Sequence, residues 1–200
     1  MSPILTRMIG TGSAGSGFGF GRRRGGGAAA SIYSLVFEQQ AQTYYSNTYN
    51  DINLSSYNLS GAFTMQTWVN PSNMTSDFGN QSGTIFNSNP GGGYSGPGFG
   101  VVKAGASGTF YGSGIAGGGS WNQNTWYHLA YVRNSSNTCY LYVDGISTGT
   151  PGTDTTNHST VCRLGYSNGG YYYAYIGYLQ NFEVYVGQKY NSNFTPPTRV

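Results

Sequence analysis

Charged side chains are scarce in this sequence, and acidic ones are missing from its beginning. Only 8% of the residues are Asp, Glu, Lys or Arg, whereas soluble domains carry about a quarter. Residues 1–30 contain no acid but four of the nine basic residues, which are Arg7, Arg22, Arg23 and Arg24. From residue 31 onward, five basic residues stand against six acids. The basic character therefore belongs to the beginning of the chain, and nucleic acid is not an expected partner of the remainder.

Long hydrophobic runs and cysteine clusters are also lacking. No run of 18 apolar residues occurs, so no membrane-spanning helix is predicted. The early segment ILTRMIG is too short and too polar for the apolar region of a signal peptide. The two cysteines, Cys139 and Cys162, fit no metal-binding spacing. They could form a bridge if their strands are neighbours, but free thiols are favoured, as in a protein assembled in a reducing cytoplasm.

The abundant residues favour strands and tight turns. The chain has 33 Gly and 19 Tyr. Tyrosine and threonine suit pleated, half-buried surfaces, while glycine and asparagine suit turns. Short runs of alternating character predict strands near 31–38, 43–49, 62–71, 83–89, 99–105, 108–114, 126–133, 138–143, 160–167, 171–177 and 178–187. Many short strands with turn residues between them predict an all-β, antiparallel sandwich or barrel with almost no helix.

Residues 1–30 form a glycine-rich arm of low complexity. Glycine at this density cannot bury a core and loses much conformational entropy when it becomes ordered. We expect this arm to be held by neighbouring subunits, with Arg7, Arg22, Arg23 and Arg24 docking onto a protein partner. The predicted organisation is an anchoring arm over 1–30 and a single domain over 31–200.

Four segments in a fixed order resemble the laminin G-like domains of the concanavalin A-like lectin/glucanase superfamily. They are FTMQTWVNP, NTWYHLAYVRNSSNTCYLYVDG, CRLGYSNGGYYYAYIGYLQNFEVY and NFTPP. The resemblance covers about residues 34–197 and implies a two-sheet antiparallel jelly-roll sandwich. Gln180 and Asn181 replace acids that are usual in the third segment, which weakens any ionic role carried over there. A glycine-rich start joined to such a body, with a late F-T-P-P, also resembles structural proteins of tailed bacteriophages.

The carboxylates argue against hydrolysis of glycosidic bonds. Retaining glycosidases place two carboxylates about 5–5.5 Å apart, and the glucanase branch of the resembled superfamily carries them as E-x-D-x-x-E. Neither Glu38 nor Glu183 has an acid two to five residues away. Asp51, Asp77 and Asp154 lie in segments predicted as loops, and no Ser-His-Asp arrangement is visible. The sequence therefore predicts a protein that is not an enzyme.

Asp144 and His128 lie in the hairpin segment and invite functional interpretations. The Asp144-Gly145 pair is typical of a hairpin turn, which we favour over a calcium ligand. Calcium needs six to eight oxygens, and only Asp154 could approach Asp144 from a nearby loop. No cofactor is therefore expected, with calcium at Asp144 and Asp154 as the weaker alternative. His128, Trp68 and Trp126 are predicted to be packing residues.

A tyrosine stripe is the candidate recognition surface. Tyr171, Tyr173 and Tyr175 share one face of a predicted strand that follows a turn containing Asn168. Sugars stack on aromatic rings and bind amide groups, so this stripe could bind a glycan. A subunit interface, where tyrosine is enriched, is the favoured alternative. Tyr94, in the glycine-rich loop 90–98, is a second candidate.

Together these features predict a non-enzymatic structural protein of a virion, assembled in a host cytoplasm. A capsid decoration, a head fibre and a tail component all fit. The expected partners are other virion subunits bound through residues 1–30, and further copies of the chain. A lectin-like module that recognises host-surface glycan is the alternative, and a secreted adhesin is a third. No membrane partner is expected.

Overall fold

Alternating side chains and glycine-rich turns build a structure made of strands. The computed structural model describes residues 7–10, 32–36, 50–72, 82–88, 98–104, 107–165 and 175–199, which contain no helix. The strands are β1 (Arg7–Gly10), β2 (Ile32–Val36), β3 (Asn50–Asn53), β4 (Phe63–Pro71), β5 (Ser82–Asn87), β6 (Gly98–Ala104), β7 (Ser107–Gly112), β8 (Ile115–Asn122), β9 (Tyr127–Arg133), β10 (Thr138–Val143), β11 (Ile146–Thr153), β12 (Val161–Leu164) and β13 (Gly177–Val186).

The strands form two antiparallel sheets. The first sheet has the order β1-β2-β13-β4-β9-β10-β11, and the second has the order β8-β7-β6-β5-β12-β3. Strands β11 and β8 connect them through the pairing of Thr150 with Ala116. The predicted all-β, two-sheet jelly-roll sandwich is thereby confirmed.

Strand β4 shows how the sequence assigns the two faces of the first sheet. Phe63, Met65 and Val69 are completely buried between the sheets, whereas Trp68 and Asn70 lie on the outer face and are half-buried. This split matches the period of two that β-strands impose. Apolar residues of both sheets build the core, which includes Met65, Val69, Leu129, Leu141, Leu179, Phe182, Val184, Ile52, Phe86, Phe99, Val101, Phe110, Trp121 and Leu164.

Most of the predicted strands are present, and besides β1, which lies in the predicted arm, three strands come where none was predicted. Strands β2, β4, β5, β6, β7, β9, β10, β12 and β13 lie within or close to predicted segments. Strands β3, β8 and β11 were not predicted, and Asp51 lies within β3 rather than in a loop. The segments 43–49 and 171–174 lie outside the described residues.

The beginning of the chain contributes an edge strand. Residues Arg7–Gly10 form β1, which pairs with β2, and β2 pairs with β13. Part of the predicted arm therefore joins the first sheet. Arg22, Arg23 and Arg24 lie outside the described residues. Within the described ranges, no helix has the length and apolarity needed to cross a bilayer.

Candidate functional site

A network of buried polar groups lies between the two sheets. His158 Nδ1 is 2.6 Å from Ser88 Oγ, and His158 Nε2 is 2.9 Å from Asp154 Oδ2. Ser88 follows β5 of the second sheet, and Asp154 follows β11 of the first. All three residues are buried, and the imidazole ring also packs against Phe63 and Phe86. The expectation that no Ser-His-Asp arrangement exists is therefore wrong.

The ionisation state of Asp154 determines which groups in this polar network carry protons. Burial alone would raise the pKa of its carboxyl group. Hydrogen bonds from His158, the Thr156 amide and the Tyr131 hydroxyl instead hold that pKa well below its usual range. An ionised carboxylate only accepts, so His158 Nε2 carries the proton and donates it. The Tyr131 hydroxyl donates to the same Asp154 oxygen over 2.7 Å.

Arg133 places a buried positive charge next to this carboxylate. Its Nη1 lies 3.9 Å from Asp154 Oδ1. Its other contacts are with backbone carbonyl oxygens of Gly61, Leu59, Asp154 and Thr156, at 2.6–3.1 Å. The guanidinium also lies 4.5 Å from the centre of the Phe63 ring. With four hydrogen bonds and a nearby carboxylate, the positive charge can be tolerated in the core.

The buried polar network around Asp154 is suited to connecting the two sheets. Nucleophilic catalysis needs a hydroxyl that a substrate can reach, and Ser88 is only 6% exposed. The network instead joins the ends of β5, β9 and β11 across the core through hydrogen bonds whose partners are all buried. Asp154 lies in a loop after β11, as predicted, but its side chain is buried in the core.

Each of the four described carboxylates has its own partner. Asp51 binds Arg163, with an Nε–Oδ1 distance of 2.8 Å, and Glu183 lies 3.4 Å from Lys189 Nζ. Asp154 belongs to the buried network, and Asp144 accepts from the His128 amide at 2.8 Å. Glu38 and Asp77 lie outside the described residues. Within the described part of the chain, no three His, Cys, Asp or Glu residues gather as a metal-binding group.

Asp144 occupies the turn between β10 and β11, as its Asp-Gly sequence predicts. Its φ of 50° and that of Gly145, 78°, are both in the left-handed region. The Asp144 amide also donates to the His128 carbonyl oxygen. The carboxylate thus closes the end of β9 onto the turn.

The outer face of the first sheet carries a second set of polar groups, and these lack partners. Trp68 and His128 are neighbours on β4 and β9, with ring centres 5.3 Å apart. Trp68 Nε1, both ring nitrogens of His128 and Asn70 Oδ1 are buried without a hydrogen-bond partner in the described structure. Burial, with a smaller effect from Lys189, lowers the pKa of His128 to about 4. His128 is a packed strand residue, as predicted, but the atoms that it buries are unsatisfied.

Next to this pair lies a surface patch, which we call the aromatic patch. It consists of the partly exposed rings of Trp126 and Tyr178, the exposed Arg199 and the buried amide of Gln180. The Trp126 and Tyr178 rings are 6.3 Å apart, and Tyr178 is 38% exposed. The Arg199 guanidinium lies 4.3 Å above the Trp126 ring and donates to Gln180 Oε1 at 3.0 Å. Trp126 is thus more than the packing anchor that the sequence predicts, because its side chain is partly exposed.

Residues 188–199, which we call the C-terminal strap, cover this face. The Tyr190 and Phe194 rings are stacked, and Phe194 also contacts the rings of Tyr142 and His128. The Phe194 amide donates to the Gly145 carbonyl oxygen. The Tyr190 hydroxyl donates to Gln66. The strap therefore holds an apolar cluster of Ala130, Val132 and Tyr142 on the side of the sheet that faces away from the core.

Among the candidates from the sequence, Tyr175 requires a correction. It is only 2% exposed, and its hydroxyl donates to the Tyr178 carbonyl oxygen. Burial raises its pKa well above the usual value. A side chain in the core cannot present a ring to a glycan or a subunit. Tyr171, Tyr173, Asn168 and Tyr94 lie outside the described residues.

Several important residues were not identified from the sequence, although a signal existed for some. Leu129, Tyr131 and Arg133 alternate on β9, so the period of two places Arg133 on the buried face. The same alternation places Trp126 and His128 together on the outer face. For the contact between Ser88 and His158, 70 residues apart, no local pattern is informative.

Similar structures exist among glycosidases and toxins. A Trypanosoma rangeli sialidase matches with 15% identity and a TM-score of 0.49, over 66% of this chain and 21% of the sialidase chain. The botulinum neurotoxin serotype D binding domain matches with 12% identity and a TM-score of 0.50, over 82% of this chain and 42% of that one. Domain 4 of AbnA, an extracellular arabinanase from Geobacillus stearothermophilus, matches with 14% identity and a TM-score of 0.43, over 81% and 77%.

This chain therefore spans about a fifth of the sialidase and less than half of the toxin chain. At such identities the toxin match shows a shared fold. No curated protein matches the sequence. A laminin G family model, described as the concanavalin A-like lectin/glucanases superfamily, matches residues 45–188, which is most of the chain. This chain belongs to the concanavalin A-like lectin/glucanase superfamily.

Proposed function

We propose that this protein is a non-enzymatic carbohydrate-binding module that recognises glycan on the outer face of its first sheet. The observation that carries the proposal is the aromatic patch. Two rings, Trp126 and Tyr178, lie side by side at the surface, and the Arg199 guanidinium lies over the Trp126 ring and donates to the Gln180 amide oxygen.

The chemistry of the patch fits a sugar ring. The C–H groups on one face of a pyranose stack on aromatic rings, which offer a large apolar area at little entropic cost. The hydroxyl groups at the edge of the sugar need donors and acceptors, and a tyrosine hydroxyl such as that of Tyr178 acts as both. A few directed polar groups around an apolar contact area are typical of sites for small molecules.

The carboxylates support binding rather than hydrolysis. All four that are described are engaged in structural contacts: a turn, a buried network and two ion pairs. The superfamily includes both lectins and glucanases. The patch itself contains no carboxylate that could act as acid or nucleophile.

An array of defined oligosaccharides, probed with the whole chain in calcium and in EDTA, tests the proposal. We expect specific binding that does not depend on calcium. Trp126→Ala or Tyr178→Ala should weaken it at least about tenfold, which corresponds to about 1.4 kcal/mol. Val161→Ala, an equally exposed apolar residue on β12, is the control.

A double variant at the tyrosine stripe separates two surfaces. Tyr171→Ala with Tyr173→Ala should leave binding unchanged if the aromatic patch is the site. Loss of binding in that variant alone would move the site to the stripe. An array without any bound sugar would reject the proposal as a whole.

A structural role in a virion is a second candidate, since a particle component can also bind sugar. It is supported by the basic arm without acids and by the pairing of Arg7–Gly10 with β2, which gives the arm a defined base on the sheet edge. Residues 1–30 would bind other virion subunits, and copies of the chain would associate. Deletion of residues 1–30 should abolish incorporation into particles while glycan binding persists. Unchanged incorporation would contradict this role.

A further inference from the structure

Buried polar atoms without partners lie near the exposed rings of the aromatic patch. On the neighbouring strands, Trp68 Nε1, both ring nitrogens of His128 and Asn70 Oδ1 are buried without partners. A buried polar atom without a hydrogen bond is unfavourable, so most such atoms in proteins are paired. Several of them on one face indicate groups arranged for a partner that supplies donors and acceptors.

The C-terminal strap covers this region but does not satisfy it. Phe194 lies with its ring edge-on to His128, at 5.7 Å between centres, and offers it no hydrogen bond. Arg199 occupies the face of Trp126 on which a sugar would stack. The strap thus packs on His128 while leaving both of its ring nitrogens unpaired.

Most of the strap is exposed. Nine of its twelve residues are exposed, among them Asn191, Ser192, Thr195, Pro197 and Thr198. Its described attachments to the sheet are the Tyr190 and Phe194 rings, which contact Tyr142 and His128, the amides of Lys189 and Phe194, and the side chains of Lys189, Tyr190, Asn193 and Arg199. No strap residue belongs to a strand, and exposed segments outside the sheet open locally at lower free energy than the core does.

We infer that the sugar-binding face continues beneath the C-terminal strap, and that a glycan displaces the strap to pair its hydroxyl groups with Trp68, His128 and Asn70. This inference rests on the proposed glycan-binding function. In the free protein the strap and the ligand compete, so the observed affinity is lowered by the fraction of molecules in which the strap is closed.

Strap variants test the competition. We expect Arg199→Gln to tighten binding of the best oligosaccharide from the array about two- to fivefold, the factor that an exposed cation–π contact contributes. Phe194→Ala should tighten it about tenfold, because it removes several ring contacts. Thr198→Ala, in an exposed part of the strap, is the matched control and should bind like the unmodified chain.

A second experiment tests the polar groups of His128. In the Phe194→Ala background, His128→Phe keeps a ring of similar size but removes both nitrogens, and it should weaken binding about tenfold. Hydrogen exchange of residues 188–199 should accelerate when the oligosaccharide is added. Arg199→Gln is a surface change, so it keeps the test valid if Phe194→Ala fails to fold.

The outcomes separate the two proposals. If the strap variants bind as the unmodified chain does, or more weakly, the inference is wrong while the glycan-binding function stands. If binding appears only in the strap variants, both are supported. If neither the unmodified chain nor any variant binds a sugar, the proposed function fails and the inference fails with it.

Discussion

At the scale of single residues, one guanidinium organises the interior of this protein. Arg133 hydrogen-bonds four carbonyl oxygens from segments far apart in sequence and lies against the carboxylate of Asp154. These carbonyl groups belong to loops that join the two sheets, where no strand partner is at hand. The side chain thus completes backbone hydrogen bonding that the sandwich leaves open.

Replacing Arg133 should therefore destabilise the fold strongly. Arg133→Met removes the charge but keeps most of the volume, and it leaves the Asp154 carboxylate buried without its cation. We expect a loss of about 3–5 kcal/mol in the free energy of unfolding, the range for breaking a buried pair. Urea denaturation followed by tryptophan fluorescence measures it.

A comparison with Arg163 supplies the control. Arg163 pairs with Asp51, whose side chain is 41% exposed, and such pairs contribute at most about 1 kcal/mol. Arg163→Met should therefore change stability far less. Equal losses in the two variants would show that the buried network contributes no more than a surface ion pair.

At the scale of the elements, apolar alternation explains which strands were predictable. Strands β4, β9, β10 and β13 pack apolar side chains against the core at every second position, and the sequence shows that period directly. Strand β11, ISTGTPGT, is mostly exposed, and β8, IAGGGSWN, has three consecutive glycines at its centre. Both exist because neighbouring strands supply their hydrogen bonds. Tertiary pairing of this kind leaves no local pattern to read.

Local sequence patterns were equally limited as predictors of the candidate functional site. The alternation on β9 places Trp126 and His128 on one face, so this part of the outer surface could be predicted from the sequence. Tyr175 continued an apparent stripe, yet it is buried because the chain leaves strand geometry before Gly177, whose φ is 148°. The contribution of the strap could not be predicted, since a loop that packs across a sheet has no period.

The turn between β10 and β11 contacts the strap through Gly145. A substitution of this glycine tests whether the turn and the strap are coupled. Gly145 has a φ of 78°, and an added Cβ atom would overlap the Phe194 carbonyl oxygen. Gly145→Ala should destabilise by about 1–2 kcal/mol from backbone conformation alone. It should also push the strap away, which hydrogen exchange of the Phe194 amide would detect as faster exchange.

Gly61 provides the matched control for this substitution. Nothing lies within 4 Å of a Cβ atom added there. Gly61→Ala should leave stability unchanged or raise it by about 0.4–1 kcal/mol, because alanine restricts the unfolded chain. A Gly145→Ala variant as stable as Gly61→Ala would argue that the turn and the strap are not coupled.

At the scale of the whole molecule, two buried ionisable groups on opposite sides of the first sheet both make stability fall on acidification, but over different pH intervals. On the inner side, the pKa of Asp154 is held below its unfolded value of 3.8, so its contribution is complete at higher pH and is lost only in stronger acid. On the outer side, burial lowers the pKa of His128 from 6.5 to about 4. Between these two values the unfolded chain binds the His128 proton and the folded chain does not.

Stability should therefore fall as the pH falls from about 6.5 to 4, before Asp154 is protonated. Stability rises with pH wherever the unfolded state holds more protons, and a shift from 6.5 to about 4 corresponds to about 3 kcal/mol. Urea midpoints measured at intervals between pH 4 and 7 test this expectation. His128→Phe keeps the ring between Trp68 and Phe194 and removes the titrating group, so its stability should vary less over the same interval. If the unmodified protein and His128→Phe respond to pH alike, the outer face does not control the acid sensitivity, and His128 is not shielded by the strap as its surroundings indicate.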